Sequence, residues 1–368
     1  MPDEETSGAV LTIDLDAIVA NWRLLRDRVA PAACAGVVKA DAYGTGAAKV
    51  APALARAGCH TFFVAHIDEG VRLRALLPDA AIHILNGPFP GTGPVFAEHR
   101  LIPVLNSLGA IEMWAGFARE RETAMPADVH IDTGMSRLGL PADELETLAT
   151  DPSRLDGIEV VFIMSHLACA DEPDHPLNRR QIEEFGAALA ALPAAAASLT
   201  NSSGIFLGAD YHFDVARPGI CLYGGAPSAG PNPMAQVVTL QGKILQVRSI
   251  DTPRTVGYGA TWEAPRTTRI ATVAVGYADG YLRSLSGSAS GYVGDIRVPL
   301  VGRVSMDLIT FDVSDVPEHR VRPGSLIDLI GPHYPIDHAA RDAGTISYEI
   351  ITSLGARYHR AYTGGRGA

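Results

Sequence analysis

Lys39 is the residue whose type and position most directly suggest covalent chemistry. It ends the run Gly36–Lys39, which is apolar except at its carboxyl end, as in a buried parallel strand. Burying an unpaired ammonium is costly and lowers its pKa, and the neutral amine is a nucleophile that forms Schiff bases with carbonyl groups. The alternative is a surface lysine just past the end of a strand.

Other polar residues follow apolar runs later in the chain. They are Arg137 after the fifth run, His166 and Asn201 at the ends of the sixth and seventh, and Arg217 after the eighth. Because the carboxyl ends of barrel strands meet at one rim, we expect these groups and Lys39 to form one site. Each of these residues, considered alone, could have a purely structural role. His166 could be a hydrogen-bonded core residue, and Arg217 could bind a loop carbonyl.

Two turns rich in small residues follow the seventh and eighth runs. They are Asn201-Ser202-Ser203-Gly204 and Arg217-Pro218-Gly219-Ile220. Barrels commonly bind phosphate here through loop amides and hydroxyls, so the turns indicate a phosphate site or, alternatively, are purely structural. The pattern G-x-x-x-x-G-K-[ST] is absent, which argues against a nucleoside triphosphate site.

The apolar runs alternate with helix-like segments such as Leu15–Arg28 from residue 10 to about residue 220. Eight strands with intervening helices predict a parallel (β/α)8 barrel rather than an open sheet. The predicted strands are Gly36–Lys39, Thr61–Ala65, Ile82–Leu85, Ile102–Leu105, Val129–Asp132, Val160–Ser165, Ser198–Asn201 and Phe213–Ala216.

The pattern changes at the Gly- and Pro-rich segment Gly224–Pro233, which predicts a linker. Short β-branched runs follow it: Val237–Ile250, Thr268–Val275, Ile296–Val301, Leu308–Val313 and Ser325–Ile330. They predict a mainly-β domain whose end is more helical. We therefore predict an α/β protein with an N-terminal (β/α)8 TIM-like barrel over residues 1–230 and a C-terminal mainly-β domain over residues 231–368.

Composition excludes several classes of protein. The net charge of -11 and pI of about 5.5 argue against a nucleic-acid partner and favour a cytoplasmic protein. The segment Met1–Gly8 does not resemble a signal peptide and no apolar run could span a bilayer, so no membrane partner is expected. The cysteines form no C-x-x-C pair and should be reduced: Cys34, Cys59, Cys169 and Cys221.

The sequence around Lys39, VVKADAYGTG, resembles the pyridoxal-phosphate lysine motif of alanine racemases. Further motifs follow in family order and at about family spacing: HIDTGMSRLGL, MSHLACAD, TNSSG, ARPGICLYGG, VGYGATW, VGYADGYLR, VGRVSMD and ISYEI. The resemblance implies pyridoxal 5'-phosphate as the cofactor and interconversion of L- and D-alanine by two-base proton transfer at Cα. It also implies that the product supplies D-alanine for peptidoglycan.

The resemblance assigns the two catalytic bases to Lys39 and Tyr258, one on each face of the substrate Cα. A tyrosine normally has a pKa near ~10, so nearby cations must lower the pKa of Tyr258. Without the family, Tyr258 would be interpreted as a packed aromatic residue of the β-domain. The resemblance also places Tyr258 and Met306 in the site of a second subunit, which implies a homodimer with shared active sites.

The resemblance implies further contacts with the cofactor and the amino-acid substrate. The cofactor contacts are Lys39, Tyr43, Arg137, His166, Asn201, Ser202, Arg217, Gly219, Ile220 and Tyr348. The substrate contacts are Arg137, Tyr277, Met306 and Asp307. Arg217, backed by His166, would face the ring nitrogen; because arginine cannot accept a proton, the ring would be a weaker electron sink, which disfavours decarboxylation and transamination. No metal is expected.

His130 departs from the family pattern. Many alanine racemases have a lysine here, whose carbamate neutralises the arginine that corresponds to Arg137. Histidine cannot form that stable carbamate, so we hypothesise that a bound anion such as chloride, ordered water or the carboxylate of Asp132 replaces it.

Other functions compete with alanine racemisation. One is a broader amino-acid racemase that also accepts serine. Another is a barrel-type amino-acid decarboxylase, in which an acidic residue faces the ring nitrogen; this chain has Arg217 instead. The third is a non-catalytic pyridoxal-phosphate carrier, which consists of a barrel alone, so residues 234–368 argue against it.

Overall fold

The structure is a computed structural model that describes residues 3–365; the outermost residues of the two predicted domains, 1–2 and 366–368, lie outside it. The strands are β1 (Ala9–Asp14), β2 (Ala33–Cys34), β3 (Gly36–Val37), β4 (Thr61–Val64), β5 (Ala81–Ile84), β6 (Ile102–Leu105), β7 (Met125–His130), β8 (Ile158–Met164), β9 (Ala196–Ser198), β10 (Val215–Ala216), β11 (Val238–Ile250), β12 (Thr255–Val256), β13 (Trp262–Glu263), β14 (Thr268–Val273), β15 (Ser290–Val293), β16 (Ile296–Pro299), β17 (Ile309–Asp312), β18 (Leu326–Ile330) and β19 (His359–Thr363). The α-helices are α1 (Leu15–Val29), α2 (Ala47–Arg56), α3 (Ile67–Leu76), α4 (Gly93–Glu98), α5 (Leu108–Glu120), α6 (Ala142–Thr150), α7 (Pro176–Ala191), α8 (Ile336–Ala343) and α9 (Ser347–Thr352). None of the helices within 3–365 is both long and apolar enough to cross a membrane.

The first domain is a closed parallel barrel. Strands β3 to β9 form a seven-stranded sheet in chain order, and β10 pairs in parallel with β2. Closure is completed by hydrogen bonds from the Ala35 amide to the Ala216 carbonyl and from the Arg217 amide to the Thr200 carbonyl, each 2.9 Å. The predicted (β/α)8 barrel is therefore confirmed, and its carboxyl rim carries Lys39 at one seam and Arg217 at the other.

The fifth barrel strand begins earlier than predicted. The prediction began it at Val129, whereas β7 begins at Met125. Pro126 and Asp128 interrupt the apolar run, although Asp128 is fully buried and lies 2.7 Å from the equally buried His83 ring. A buried polar residue can be hydrogen-bonded to a residue on another strand. Such a residue interrupts the apolar run, so the hydrophobicity pattern does not show the full length of the buried strand.

The second domain is built on an eight-stranded, mostly antiparallel sheet, as its β-branched runs predict. Its main order is β16-β15-β18-β11-β1-β19, with β14 pairing to β11 and β17. Strand β1 lies between β11 and β19, where Leu11 is opposite Leu240 on one side and Arg360 on the other. Residues 9–14 therefore lie in this sheet and not in the barrel, to which the division at residue 230 assigned them; that division otherwise stays a prediction.

Helix α1 connects the two domains directly. Its N-terminus is capped by the Asp14 carboxylate, which accepts hydrogen bonds from the amides of Asp16 (2.9 Å) and Ala17 (3.0 Å). Its buried face packs Ile18 and Trp22 into the barrel, as helical spacing predicts. Because α1 begins where β1 ends, no free linker separates the two domains at this point.

Candidate active site

A cavity of about 1610 Å³ opens at the carboxyl ends of the barrel strands. Its walls include most of the predicted cofactor contacts: Lys39, Tyr43, Arg137, His166, Asn201, Ser202, Arg217, Gly219 and Tyr348. Ile220 is buried next to Gly219 but does not line the cavity. The structure thus brings together residues that lie as far apart in sequence as Lys39 and Tyr348.

The remaining predicted residues do not line the cavity of the single chain. Tyr258, Tyr277 and Met306 lie on the second domain with 73%, 43% and 54% of their surfaces exposed, and Asp307 is exposed beside Met306. Of the two predicted bases, only Lys39 therefore lies in this cavity.

Lys39 follows β3 and begins an unusual turn. The next four residues, Ala40 to Tyr43, have φ between +53° and +55°, a left-handed conformation that side chains disfavour. Burial lowers the pKa of Lys39, nearby Arg137 lowers it further, and the carboxylate of Glu69 acts in the opposite direction. A lowered pKa makes the neutral, nucleophilic amine more available near neutral pH.

The turns after β9 and β10 form a cradle for an anion. The Ser202 hydroxyl oxygen accepts hydrogen bonds from the amides of Gly219 (2.9 Å) and Cys221 (3.2 Å), so its proton is left to donate to another group. A Cβ atom at Gly219 would lie 2.1 Å from the Tyr43 hydroxyl, so only glycine allows this approach. The donors present fit a phosphate group.

Two tyrosines complete the cradle. The Tyr43 ring stacks on Tyr223 at 4.6 Å between centroids and is tilted against Tyr348 at 6.0 Å. Burial raises the pKa of both Tyr43 and Tyr348, so their phenols stay protonated and can donate to an anion. Tyr223 itself donates to the Val37 carbonyl at 2.9 Å, which fixes the stack to β3.

Arg217 is buried and held by neutral acceptors. Its guanidinium donates to the Ser198 hydroxyl and to the carbonyls of Ser165 (2.6 Å) and Leu199 (3.5 Å). Burial lowers the pKa of Arg217 to about 10, which leaves it charged at neutral pH. Burial, followed by the charge of Arg217, holds the pKa of His166 well below its usual 6.5, so His166 is neutral. Within residues 3–365 no hydrogen bond joins these two side chains, so the expected backing of Arg217 by His166 stays a prediction.

His130 is a neutral residue hydrogen-bonded to its neighbouring strand. Its Nδ1 lies 2.7 Å from the Asn106 side-chain oxygen, and burial followed by Arg217 lowers its pKa to about 4. Asp132 does not form an ion pair with Arg137 in the described part of the chain. Its Oδ1 instead accepts amide hydrogen bonds from residues 134, 135 and 136 at 2.9 to 3.0 Å and so shapes the loop that carries Arg137. The hypothesis that Asp132 is the counter-charge of Arg137 therefore lacks support.

Several residues that support the site were not found from the sequence: Glu69, Asn106, Ser165, Ser198 and Tyr223. Most bind through contacts between strands that are distant in sequence, which leave no local pattern. Glu69 is the exception, because a glutamate three residues after a helix N-cap is a recognised capping pattern. No group of three His, Cys, Asp or Glu side chains that could hold a metal occurs among residues 3–365.

The chain is similar to known proteins over its whole length. The family model described as "Alanine racemase, N-terminal domain" matches residues 13–227, and that described as "Alanine racemase, C-terminal domain" matches residues 237–362. The alanine racemase of Rhodospirillum rubrum is 57% identical over 369 residues, covering 100% of this chain and 99% of that protein.

Solved structures show the same similarity. A Bartonella henselae alanine racemase with covalently bound pyridoxal phosphate has a TM-score of 0.94 and 43% identity, covering 97% of this chain and 100% of that one. The biosynthetic alanine racemase of Pseudomonas aeruginosa has a TM-score of 0.91 and 35% identity, covering 98% of this chain and 100% of that one. With both domains matched, and with its lysine, anion cradle and buried arginine on one barrel rim, the chain belongs to the alanine racemase family.

Proposed function

We propose that this chain interconverts L-alanine and D-alanine with pyridoxal 5'-phosphate as its cofactor. The observation that carries the proposal is a lysine of lowered pKa in a cavity that also contains an anion cradle and a charged, buried arginine. The relatives and solved neighbours named as alanine racemases support it. A decarboxylase of this architecture is not favoured, because it would need an acidic residue at the ring nitrogen, where we propose Arg217.

The residues of the cavity fit this cofactor. The Lys39 amine matches its aldehyde, and the Ser202 hydroxyl, Gly219 region and Tyr43 phenol match its phosphate. When bound, pyridoxal phosphate supplies a carbonyl carbon that reacts with amines and a ring that withdraws electrons from the substrate Cα. Asn201 and Tyr348 would line the phosphate end, and Ile220 would contribute through its backbone.

The chain's own groups would orient the reaction and move the proton. Lys39 removes or returns a proton on one face of Cα, and Tyr258 does so on the opposite face. Arg217 would face the ring nitrogen and, because it cannot accept a proton, would leave that nitrogen unprotonated. Arg137 would donate to the ring phenolate oxygen and, with Met306 and Asp307, would bind the substrate, while Tyr277 would narrow the entrance.

A homodimer is part of this proposal. Tyr258, Tyr277 and Met306 are exposed on the second domain and do not line the cavity of their own chain. Exposed aromatic and methionine side chains are typical of interfaces, so we propose that these residues enter the cavity of a second copy. We further propose a cytoplasmic enzyme that supplies D-alanine for peptidoglycan.

The proposal is tested by measuring D-alanine formation from L-alanine with purified protein and added cofactor. Lys39→Ala should abolish turnover, because it removes both the attachment point and one base. Lys49→Ala is the matched control, since Lys49 is exposed on α2 and should be dispensable. Borohydride reduction followed by peptide mass mapping should place the cofactor on Lys39.

Other outcomes distinguish the competing functions. Release of carbon dioxide without D-alanine would identify a decarboxylase. Racemisation of serine as fast as alanine would identify the broader racemase. Attachment at Lys49 or Lys243 would contradict the assignment of Lys39.

A further inference from the structure

The turn that follows Lys39 needs support from outside itself. Four consecutive residues, Ala40 to Tyr43, are left-handed, and none is glycine. This conformation is unfavourable for L-residues, so it persists only where surrounding contacts hold it. The position of the Lys39 side chain depends on that turn, because its own peptide leads directly into it.

One carboxylate binds the first residue of this turn. Glu69 Oε1 accepts the Ala40 amide at 2.6 Å, which is the shortest of its contacts. Its other oxygen, Oε2, accepts the amides of Ala65 at 2.8 Å and His66 at 3.1 Å, at the end of β4. Glu69 lies in the first turn of α3, so a single side chain joins a helix, the end of one strand and the residue after Lys39.

Capping of α3 accounts for only part of this arrangement. The contact with His66 is the reciprocal half of a capping box. The contact with Ala40 crosses 29 positions of sequence and is not required by the helix. It therefore indicates a role at the site in addition to the cap.

Glu69 also contributes charge. Arg137 lies close enough to act on the Lys39 ammonium, and the Lys39 charge in turn acts on His166 next to Arg217. Glu69 is the acidic group that opposes burial and Arg137 at Lys39. Its negative charge therefore favours the ammonium form of Lys39, which burial and Arg137 disfavour.

We propose that Glu69 is a positioning residue for Lys39, which fixes the left-handed turn through the Ala40 amide and supplies a negative charge that acts on the amine. The inference rests on the proposed function only in that Lys39 is the catalytic amine. Its structural part, the control of Lys39 by Glu69, can be measured without cofactor or turnover.

The test compares Glu69→Gln with the control Asp68→Asn. Asp68 is an exposed residue in the same helical turn, and its carboxylate has no hydrogen bond or ion pair within residues 3–365. In the cofactor-free protein, Lys39 is acylated across a pH series and quantified by mass spectrometry, with Lys49 and Lys243 as internal references. Glu69→Gln should shift the Lys39 labelling midpoint to lower pH, because the opposing negative charge is gone, whereas Asp68→Asn should leave it unchanged.

A second variant, Glu69→Asp, separates position from charge. Glu69→Asp keeps the charge but is too short to keep all three amide contacts, so it should retain the labelling midpoint more closely than Glu69→Gln does. Both Glu69 variants should lose kcat with a smaller change in KM, by about 10- to 100-fold, the loss expected when a reacting group is misplaced by about 1 Å.

Several results would overturn the inference. Labelling and kcat of Glu69→Gln that match those of Asp68→Asn would show that Glu69 is only a helix cap. If Glu69→Gln does not fold, a Glu69→Asp variant with the wild-type kcat would equally show that Glu69 is only a helix cap. An active Lys39→Ala enzyme would instead refute the proposed function while leaving the labelling comparison valid.

Discussion

His130 is held neutral by the fold, and this has a consequence for stability. In an unfolded chain its pKa is near 6.5, whereas burial and Arg217 lower it to about 4 in the folded protein. Between these values the unfolded state binds a proton that the folded state does not, so stability falls as pH falls through this window. The difference between the two pKa values corresponds to a loss of about 3 kcal/mol in the free energy of unfolding once the pH is below about 4.

We therefore expect His130→Asn to lose less stability than the wild type between about pH 6.5 and about pH 4. Asparagine keeps a side-chain N–H that can donate to Asn106 but has no group that titrates here. Urea denaturation at fixed protein concentration measures the difference. Parallel stability curves for the two proteins would show that His130 is not protonated differently in the two states.

The sequence identified the individual residues that line the cavity better than it identified their hydrogen-bond partners. Lys39, His166, Asn201 and Arg217 could be placed on one rim because each follows an apolar run. The partners of Arg217 could not be found, since two of them are backbone carbonyls, and carbonyls are present at every position. Asp132 appeared in sequence to be the nearest counter-charge of Arg137, yet three local amides bind the same carboxylate oxygen.

Among the elements, Arg357 joins the two loops that carry the predicted substrate contacts. Its guanidinium contacts Asp279 at 2.7 Å in the loop of Tyr277, and Asp307 at 2.8 Å in the loop of Met306. The loops also bond directly, because the Ala278 amide donates to the Met306 carbonyl at 3.0 Å. One arginine outside both loops thus adds a side-chain link to the backbone hydrogen bonds between them.

Arg357→Gln should lower kcat/KM by roughly 10-fold, because loosened loops present Tyr277 and Met306 less precisely. The melting temperature should also fall, because Asp279 is buried and loses its charged partner, whereas the pair with Asp307 is exposed and contributes little. Arg179→Gln is the control, because it removes an exposed pair with Glu183 on α7 at 2.7 Å. Equal kinetics in the two variants would show that Arg357 does not organise the loops.

The type of each domain was predictable from the periodicity of the sequence, whereas the sheet to which each strand belongs was not. Runs of β-branched residues after the linker predicted the second domain, and the eight barrel strands were found with shifted ends. Strand β1 was missed, and its residues were assigned to the barrel because they precede it in sequence. Its partners, β11 and β19, lie far along the chain, and local pattern contains no information about such pairing.

For the whole molecule, the separation of Lys39 from Tyr258 predicts complementation between chains. Lys39→Ala should be inactive, and Tyr258→Phe should lose at least ~100-fold in rate, as expected for loss of an acid–base group. In an equal mixture after subunit exchange, half of the dimers are mixed and each has one intact site, so about a quarter of wild-type activity should return.

Recovery is measured after exchange has been verified by native mass spectrometry of differently tagged chains. Each variant mixed with itself is the control and should stay inactive. Absence of recovery in verified mixed dimers would show that both bases of a site come from one chain.

The pairing of β1 with β19 also orders events during synthesis. Residues 9–14 leave the ribosome early, but their parallel partner, residues 359–363, is made some 350 positions later. The sheet of the second domain therefore cannot be completed while the chain is still being translated through the barrel. Until then β1 has an unpaired edge, and the nascent chain must keep that edge from pairing with another copy. Residues 359–363 thus cover the edge of β1 only at the end of synthesis, and β19 then forms the edge of the finished sheet in its place.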